Sequence, residues 1–255
     1  MKFKISAFII TKNEEKNIED CLKSLSWVNE IVVVDDFSED STEAICKNYN
    51  VKFIKNKFIS FKEQKSFAMS NTSNEWVLEI DADERASDEM KKEIENLIDD
   101  DLKKYDGFEF KRKNYLRGKW LKFGAQYPDY KLRLYNKKRG NWSENKVHER
   151  FIVNGASKRL KGDILHFQDV DLKKLISKTI NYSFLSAQEL FKKGKKAKWH
   201  HYTIRPLYTF FYRYFFRLGF LDGLEGFIIS VVGAIGTFSK YMFLKEMERN
   251  NNGKK

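Results

Sequence analysis

Asp81 and Asp83 stand two residues apart in IDADE, residues 80–84, directly after the apolar run Trp76–Ile80. At the carboxyl end of a strand, two such carboxylates can approach one Mg2+ or Mn2+ through oxygen, and ions of this type share their coordination shell with substrate phosphates. The competing reading is a solvated acidic loop in front of a helix that begins near Ser87. A second polar cluster, VVVDDFSEDST at residues 32–42, places Asp35 and Asp36 where an acidic side chain can accept hydrogen bonds from a base or ribose; Ser38, Asp40, Ser41 and Thr42 there are also good helix N-caps. A third, Thr11-Lys12-Asn13-Glu14-Glu15, follows the first apolar run and offers helix-capping groups as well. His166 in ILHF reads either as a metal ligand or as a polar group at a sheet edge, and Arg133 and Lys119 as phosphate-binding or ordinary surface cations.

These clusters need elements to bring them together. Apolar runs at Phe3–Ile10, Ile31–Asp35, Val51–Ile54 and Trp76–Ile80 read as buried strands, separated by helical stretches near 14–25, 39–49, 61–71 and 87–99. Alternation of helices with continuously apolar strands predicts an α/β fold, a mostly parallel sheet with helices on both faces. Ligands bind outside the carboxyl ends of such strands, and the three polar clusters all fall there. From about Gly107 to Phe167 the alternation gives way to short strands at Gly107–Lys111, Lys131–Tyr135 and Asp163–Phe167. The loop at 114–130 carries Arg117, Lys119, Trp120, Tyr127 and Tyr130, amphipathic groups suited to a sugar face or a phosphate. No strand is followed by GxGxxG and the P-loop signature is absent, which disfavours a dinucleotide dehydrogenase and a P-loop NTPase.

Charge is unevenly placed. The 255 residues carry a net +12, yet residues 172–217 alone hold 11 Lys and Arg against one acidic residue. Such a block suits phosphates, in nucleic acid or on an anionic membrane. Within it Arg205, Thr209, Arg213 and Arg217 recur every four residues, beside Leu207, Tyr208, Phe210, Phe211, Tyr214 and Phe215. That pattern predicts a helix in a membrane interface with its cations at headgroup level; His200 and His201 read as part of the same face. The longest uncharged stretch, Gly226–Ser239, has 14 residues, so no transmembrane helix is expected. Two cysteines, Cys21 and Cys46, without CxxC spacing and with no secretory signal ahead of them, predict neither a disulfide framework nor a zinc ribbon, and point to a reducing, cytoplasmic compartment.

Taken in order, the strand-end motifs TKNE, VDDFSEDST and DAD after WVLEI resemble those of the family 2 glycosyltransferases of the GT-A fold, over roughly residues 3–170. Beyond the DAD the chain looks closest to the lipopolysaccharide and lipooligosaccharide core β-glucosyltransferases, through DADER, KLRLY, KVHER at 146–150, ILHF and GFLDGLEGF. The resemblance implies a GT-A, Rossmann-like catalytic domain over 1–170, with residues 1–100 as nucleotide-sugar half and 101–170 as acceptor half. A basic, aromatic, membrane-associating helical region over 171–249 and a flexible tail at 250–255 complete the expected organisation. It further implies that Thr11, Glu14 and Asp36 line a uridine pocket, that Lys65 approaches the donor diphosphate, and that Asp81 and Asp83 form the DxD site, with Asp83 the principal ligand of Mg2+ or Mn2+. Phe37 departs from the small residue usual in the family. An inverting sugar transfer needs a base for the attacking hydroxyl; Glu149 is the candidate, with His148 beside it and Asp129 as substitute.

The activity so implied is metal-dependent, inverting transfer of one hexose, glucose from UDP-glucose, to a lipid-anchored saccharide such as inner-core heptose. The site would be the inner face of the inner membrane, with the enzyme peripheral on an anionic surface. Acceptors on a polyprenyl carrier or a protein remain open alternatives, as does a family member that binds a nucleotide sugar without transfer. A non-catalytic nucleic-acid binder is disfavoured, because contiguous Phe and Leu in the basic segment would be left exposed on such a surface; no nucleic-acid partner is expected.

Overall fold

The computed structural model describes residues 3–143, 150–168 and 171–252. Two compact units form: one comprises the chain up to Lys113 together with Asp129–Phe167, the other Asn114–Pro128 together with the chain from Gln168 onward. In order, the elements up to residue 104 are β1 (Ile5–Thr11), α1 (Ile18–Ser24), β2 (Glu30–Asp35), α2 (Thr42–Lys47), β3 (Lys52–Lys55), α3 (Phe61–Ser70), β4 (Trp76–Glu79), β5 (Glu84–Ala86), α4 (Asp88–Glu95) and α5 (Asp99–Lys104). There follow β6 (Gly107–Leu116), β7 (Lys119–Trp120), β8 (Tyr130–Asn136), β9 (Gly140–Trp142), β10 (Phe151–Val153) and β11 (Ser157–Gln168).

The sheet runs β3-β2-β1-β4-β8-β6-β11-β5, with β7 paired to β6. The pairs β2–β3, β1–β2 and β1–β4 are parallel, while β4–β8, β6–β8 and β5–β11 are antiparallel. The α/β expectation holds, and its parallel part is confined to the first four strands. Helical crossovers are what parallel neighbours require, and the described residues between β6 and β11 supply none. Side chains alternate between two apolar layers: Ala7, Ile9, Val33 and Leu78 pack on one face, Phe8, Val32, Val34 and Val77 on the other. This explains why the strands read as unbroken apolar runs. Helix starts follow local chemistry, with Ser60 Oγ accepting from Glu63 N and Ser87 Oγ from Met90 N, both at 3.2 Å.

The second unit is helical: α6 (Leu172–Lys192), α7 (Trp199–Tyr202), α8 (Ile204–Phe211), a π-helical turn at Tyr212–Phe216, a 3-10 turn at Gly219–Asp222, and α9 (Gly223–Asn252). Asp171 caps α6 by accepting from Lys174 N at 2.7 Å, and Gly194 at φ 67 closes the turn after it. Small residues let α9 lie close to its neighbours. A Cβ on Gly236 would stand 2.9 Å from Thr179 Cγ2, and one on Gly226 only 1.9 Å from Gly219 O.

Two findings differ from expectation here. The face of Arg205, Thr209 and Arg213 turns toward α9: Arg205 Nη1 donates to Tyr241 Oη, Thr209 Oγ1 lies 3.3 Å from Thr237 Oγ1, and the Arg213 guanidinium lies against Gly233. Outward, α8 and the turn after it present mainly apolar side chains, with Leu207 62%, Phe211 50% and Phe216 77% exposed, beside the exposed Arg205 and, just past the turn, Arg217. Also, among the described residues, one helix is by length and composition long and apolar enough to cross a membrane, Gly219–Asn251 in extent, with mean hydropathy 1.6 over an 18-residue window. The uncharged run underestimates this stretch, because it stops at Lys240 while Tyr241, Met242, Phe243 and Leu244 carry the apolar character on, and a single Lys can snorkel.

Candidate active site

Parallel pairing places Thr11 beside Asp35 at the carboxyl ends of β1 and β2, and Asp36 N donates to Thr11 O at 3.0 Å. Both chains then turn through the left-handed region, at Asn13 (φ 55) and Phe37 (φ 52). Asn accepts this conformation readily; Phe does so at a cost. The turns brace each other: Asn13 N donates to Ser38 Oγ at 2.8 Å, Glu39 N to Asn13 Oδ1 at 2.9 Å, Glu14 N to Thr42 Oγ1 at 2.9 Å and Glu15 N to Asp40 Oδ2 at 3.0 Å. The polar residues of the second cluster are thus spent largely on holding the first. Ser41, the N-cap of α2, makes no side-chain capping bond. Asp36 accepts from Phe58 N at 2.9 Å, Glu14 Oε2 from Asn17 Nδ2 at 2.8 Å, and the buried Thr11 Oγ1 meets no hydrogen-bond partner among the described residues.

Beyond β4 lies a dense cluster of opposite charges. Lys65 of α3 donates to Glu79 Oε1 at 2.6 Å and stands 3.1 Å from Asp81 Oδ1. Arg133 of β8, only 5% exposed, reaches Glu79 at 2.9 Å, Asp81 Oδ2 at 3.0 Å and Glu84 Oε1 at 2.7 Å. Tyr135 Oη donates to Glu79 Oε2 at 2.9 Å, and Arg112 Nη1 lies 3.7 Å from Glu84 while its Nη2 donates to Asp129 Oδ2 at 2.9 Å. Burial alone would raise the Asp81 carboxyl, but Lys65 and Arg133 outweigh it and hold the group well below the usual carboxylate range. Burial would likewise depress Lys65, yet Asp81 and Glu79 keep its pKa raised. Glu84, fully enclosed, goes the other way: burial lifts its pKa despite Arg133.

Asp83 projects from the same β4–β5 turn and is 27% exposed at its side chain; its Oδ2 lies 3.2 Å from His166 Nε2. The contact is built by the sheet, since His166 pairs with Glu84 in the β5–β11 ladder and Phe167 N donates to Asp83 O at 2.9 Å. Among the described residues no group of three or more His, Cys, Asp and Glu is placed to hold a metal ion. Two adjacent ligands on an octahedral Mg2+, each ~2.1 Å from it, are ~3.0 Å apart. The spacing and the oxygen and imidazole donors are compatible with a two-ligand site, at which Asp83 and His166 would hold the ion and leave room for substrate phosphate.

The structure thus gathers Lys65, Asp81, Asp83, Arg133 and His166 at one end of the sheet, with Thr11, Glu14 and Asp36 at the ends of β1 and β2. Arg133 and Lys65, expected to contact phosphate, are turned onto carboxylates. Lys119 belongs to the second unit, where Nζ lies 3.6 Å from Glu225 Oε2. Glu149 and His148 lie outside the described residues. Sequence reasoning missed Glu79, Glu84, Arg112 and Tyr135. Glu79 had a signal: a carboxylate inside an otherwise apolar buried strand needs buried partners.

A family model for glycosyl transferase family 2 matches residues 6–160, across both the strand-end turns and the charge cluster. The chain belongs to glycosyl transferase family 2. This family 2 chain is 32% identical over 255 residues to an uncharacterized glycosyltransferase, RT0209, of Rickettsia typhi, covering 96% of this chain and 87% of that one. It is 31% identical over 247 residues to the lipopolysaccharide core biosynthesis glycosyltransferase LpsC of Rhizobium meliloti, covering 93% and 90%. The crystal structure of S. aureus TarS 1–349 in complex with UDP-GlcNAc matches with a TM-score of 0.50 at 14% identity, covering 97% of this chain and 92% of that one, a likeness of fold. The family 2 resemblance of the motifs and the GT-A-like α/β fold both stand.

Proposed function

We propose that this glycosyltransferase moves one hexose, glucose from UDP-glucose, with inversion onto a lipid-anchored saccharide, the inner-core heptose of lipooligosaccharide. The observation that carries the reading is the Asp83–His166 pair, 3.2 Å apart beside the buried Lys65–Asp81–Arg133 cluster. The naming of LpsC for lipopolysaccharide core biosynthesis supports the acceptor class, and the UDP-GlcNAc complex of TarS supports a uridine donor.

Thr11, Glu14 and Asp36 bind the uridine, Asp36 held in place by Phe58 N and Thr11 offering its unspent hydroxyl. Lys65 and Arg133 keep Asp81 ionised and oriented, and Asp83 with His166 would hold Mg2+ or Mn2+. Such an ion, when bound, supplies positive charge to the leaving diphosphate. Glu149 takes the proton of the acceptor hydroxyl as that oxygen attacks the anomeric carbon opposite the diphosphate, so the new bond forms as the bond to UDP breaks. The basic helical unit keeps the enzyme on the cytoplasmic face of the inner membrane, against anionic lipid.

Calorimetric titration with UDP, UDP-glucose, UDP-galactose, UDP-N-acetylglucosamine and GDP-mannose, with and without Mn2+, tests the donor. Metal-dependent binding selective for UDP-glucose is the expected result, and absence of binding to every uridine nucleotide overturns the reading. Glu149→Gln should abolish turnover and leave donor binding intact; normal turnover in that variant removes Glu149 as base.

A further inference from the structure

Among the described residues, Arg213 is a cation with no counter-charge. It sits in the π-helical turn Tyr212–Phe216, partly buried, and its guanidinium occupies the space over Gly233 of α9. A Cβ at 233 would stand 2.8 Å from Nη1, 3.1 Å from Cζ and 3.2 Å from Nε. Its neighbours on the same face and unit are satisfied: Arg205 donates to Tyr241 Oη, and Lys119 has Glu225. Burial lowers the pKa of Arg213, and no carboxylate offsets it.

A guanidinium partly shielded from water and without a carboxylate partner gains from an anion, and its planar fork matches phosphate oxygens. The same stretch of chain exposes Leu207, Phe211, Phe215, Phe216, Leu218 and Phe220, side chains that a phosphate dissolved in water does not engage. Leu218 is held at φ 56, and a Cβ on Gly219 would stand 2.7 Å from Arg213 O, so the turn that presents the arginine is itself tightly built. A molecule with a phosphate and an apolar body answers both features, and the 11 cations of residues 172–217 favour an anionic surface.

We infer that Arg213, seated on Gly233, binds the phosphate of a membrane lipid headgroup while the adjoining apolar side chains enter the acyl layer. This rests on the membrane-associated reading and adds to it a residue, a ligand group and an orientation in which α8 lies in the membrane plane.

The test is co-sedimentation of the full chain with phosphatidylcholine vesicles containing phosphatidylglycerol, with circular dichroism confirming the fold of each variant. Arg213→Gln should weaken partitioning on the order of tenfold. Gly233→Ala, which leaves net charge unchanged and fills the seat, should weaken it in the same direction, and Arg217→Gln, which removes an equal charge from an exposed residue, should do so distinctly less. Inorganic phosphate at millimolar concentration should not compete. Equal losses in Arg213→Gln and Arg217→Gln, or wild-type partitioning by Gly233→Ala, would overturn the site while leaving membrane association standing. Phosphate binding that depends on Arg213 in a protein whose vesicle binding does not would assign a free anion and overturn the lipid source. A wild-type protein that partitions onto no vesicle, yet still binds UDP, removes the membrane reading together with this site.

Discussion

In our reading, Asp83 is the side chain on which the metal-dependent part of donor binding turns. Asp83→Asn should weaken Mn2+-dependent UDP binding by about a hundredfold, read by calorimetry, with metal-free binding unchanged. Arg133 has a different importance, because removing it strands Glu79, Asp81 and Glu84 around a buried void. Arg133→Met should destabilise the fold by about 3–5 kcal/mol, read from urea unfolding. The depressed pKa of Asp81 sets the sign of an acid response. Its ionised form contributes stability fully above about pH 4, near the ordinary aspartate value, and that contribution is lost as the pH falls through the depressed folded-state value. Asp81→Asn removes this contribution, so the wild-type melting temperature should fall more steeply below pH 4 than the variant's. Asp81 and Asp83 stood out in the sequence as a carboxylate pair after an apolar strand, a pattern that fits a solvated acidic loop as well as a metal site. Their partners were not: Arg133 and Lys65 look like any surface cation until β8 and α3 bring them to 3.0 and 3.1 Å from Asp81.

At the scale of elements, the alternation of apolar strands and helices located β1 to β4 within one or two residues, since β1, β2 and β4 are largely buried on both faces and read as unbroken runs, while the half-buried Phe53 and Ile54 mark the edge strand β3. The short β5, β7, β9 and β10 escaped notice because two or three residues carry no period. The exit of β2 shows a local rule broken. Phe37 holds φ 52 while 51% exposed, so its side chain gives back little packing for the backbone cost. Phe37→Gly should stabilise the protein by about 0.5–1 kcal/mol, measured from the shift in denaturation midpoint. Its effect on UDP affinity would show whether the ring also lies along the base. The spacing of Arg205, Thr209, Arg213 and Arg217 predicted one helical face; the first three meet α9 while Arg217, past the π-helical turn, is exposed, because periodicity cannot say where a helix ends or which face meets a neighbour. Gly233 and Tyr241, far along the chain, decide that.

For the whole molecule, the uneven charge of residues 172–217 marked off a helical unit by composition alone, whereas the return of Asn114–Pro128 to that unit had no sequence signal, being a matter of tertiary contact. The exposed aromatic and aliphatic side chains of α8 and the turns after it exceed what a monomer in water usually leaves bare. In our reading lipid covers them, so the purified chain should self-associate in plain buffer and become monodisperse in mild detergent, by light scattering. The pairing of Asp83 with His166 spans 83 residues of sequence. Closing so long a loop is a late event relative to the pairing of neighbouring strands. During synthesis, every nascent chain that stops short of β11 carries the strand-end turns of β1 and β2 without His166. In our reading the ion needs both Asp83 and His166, so affinity for it should arrive only with the completed sheet, and on refolding it should serve as a clock for the last strand to dock.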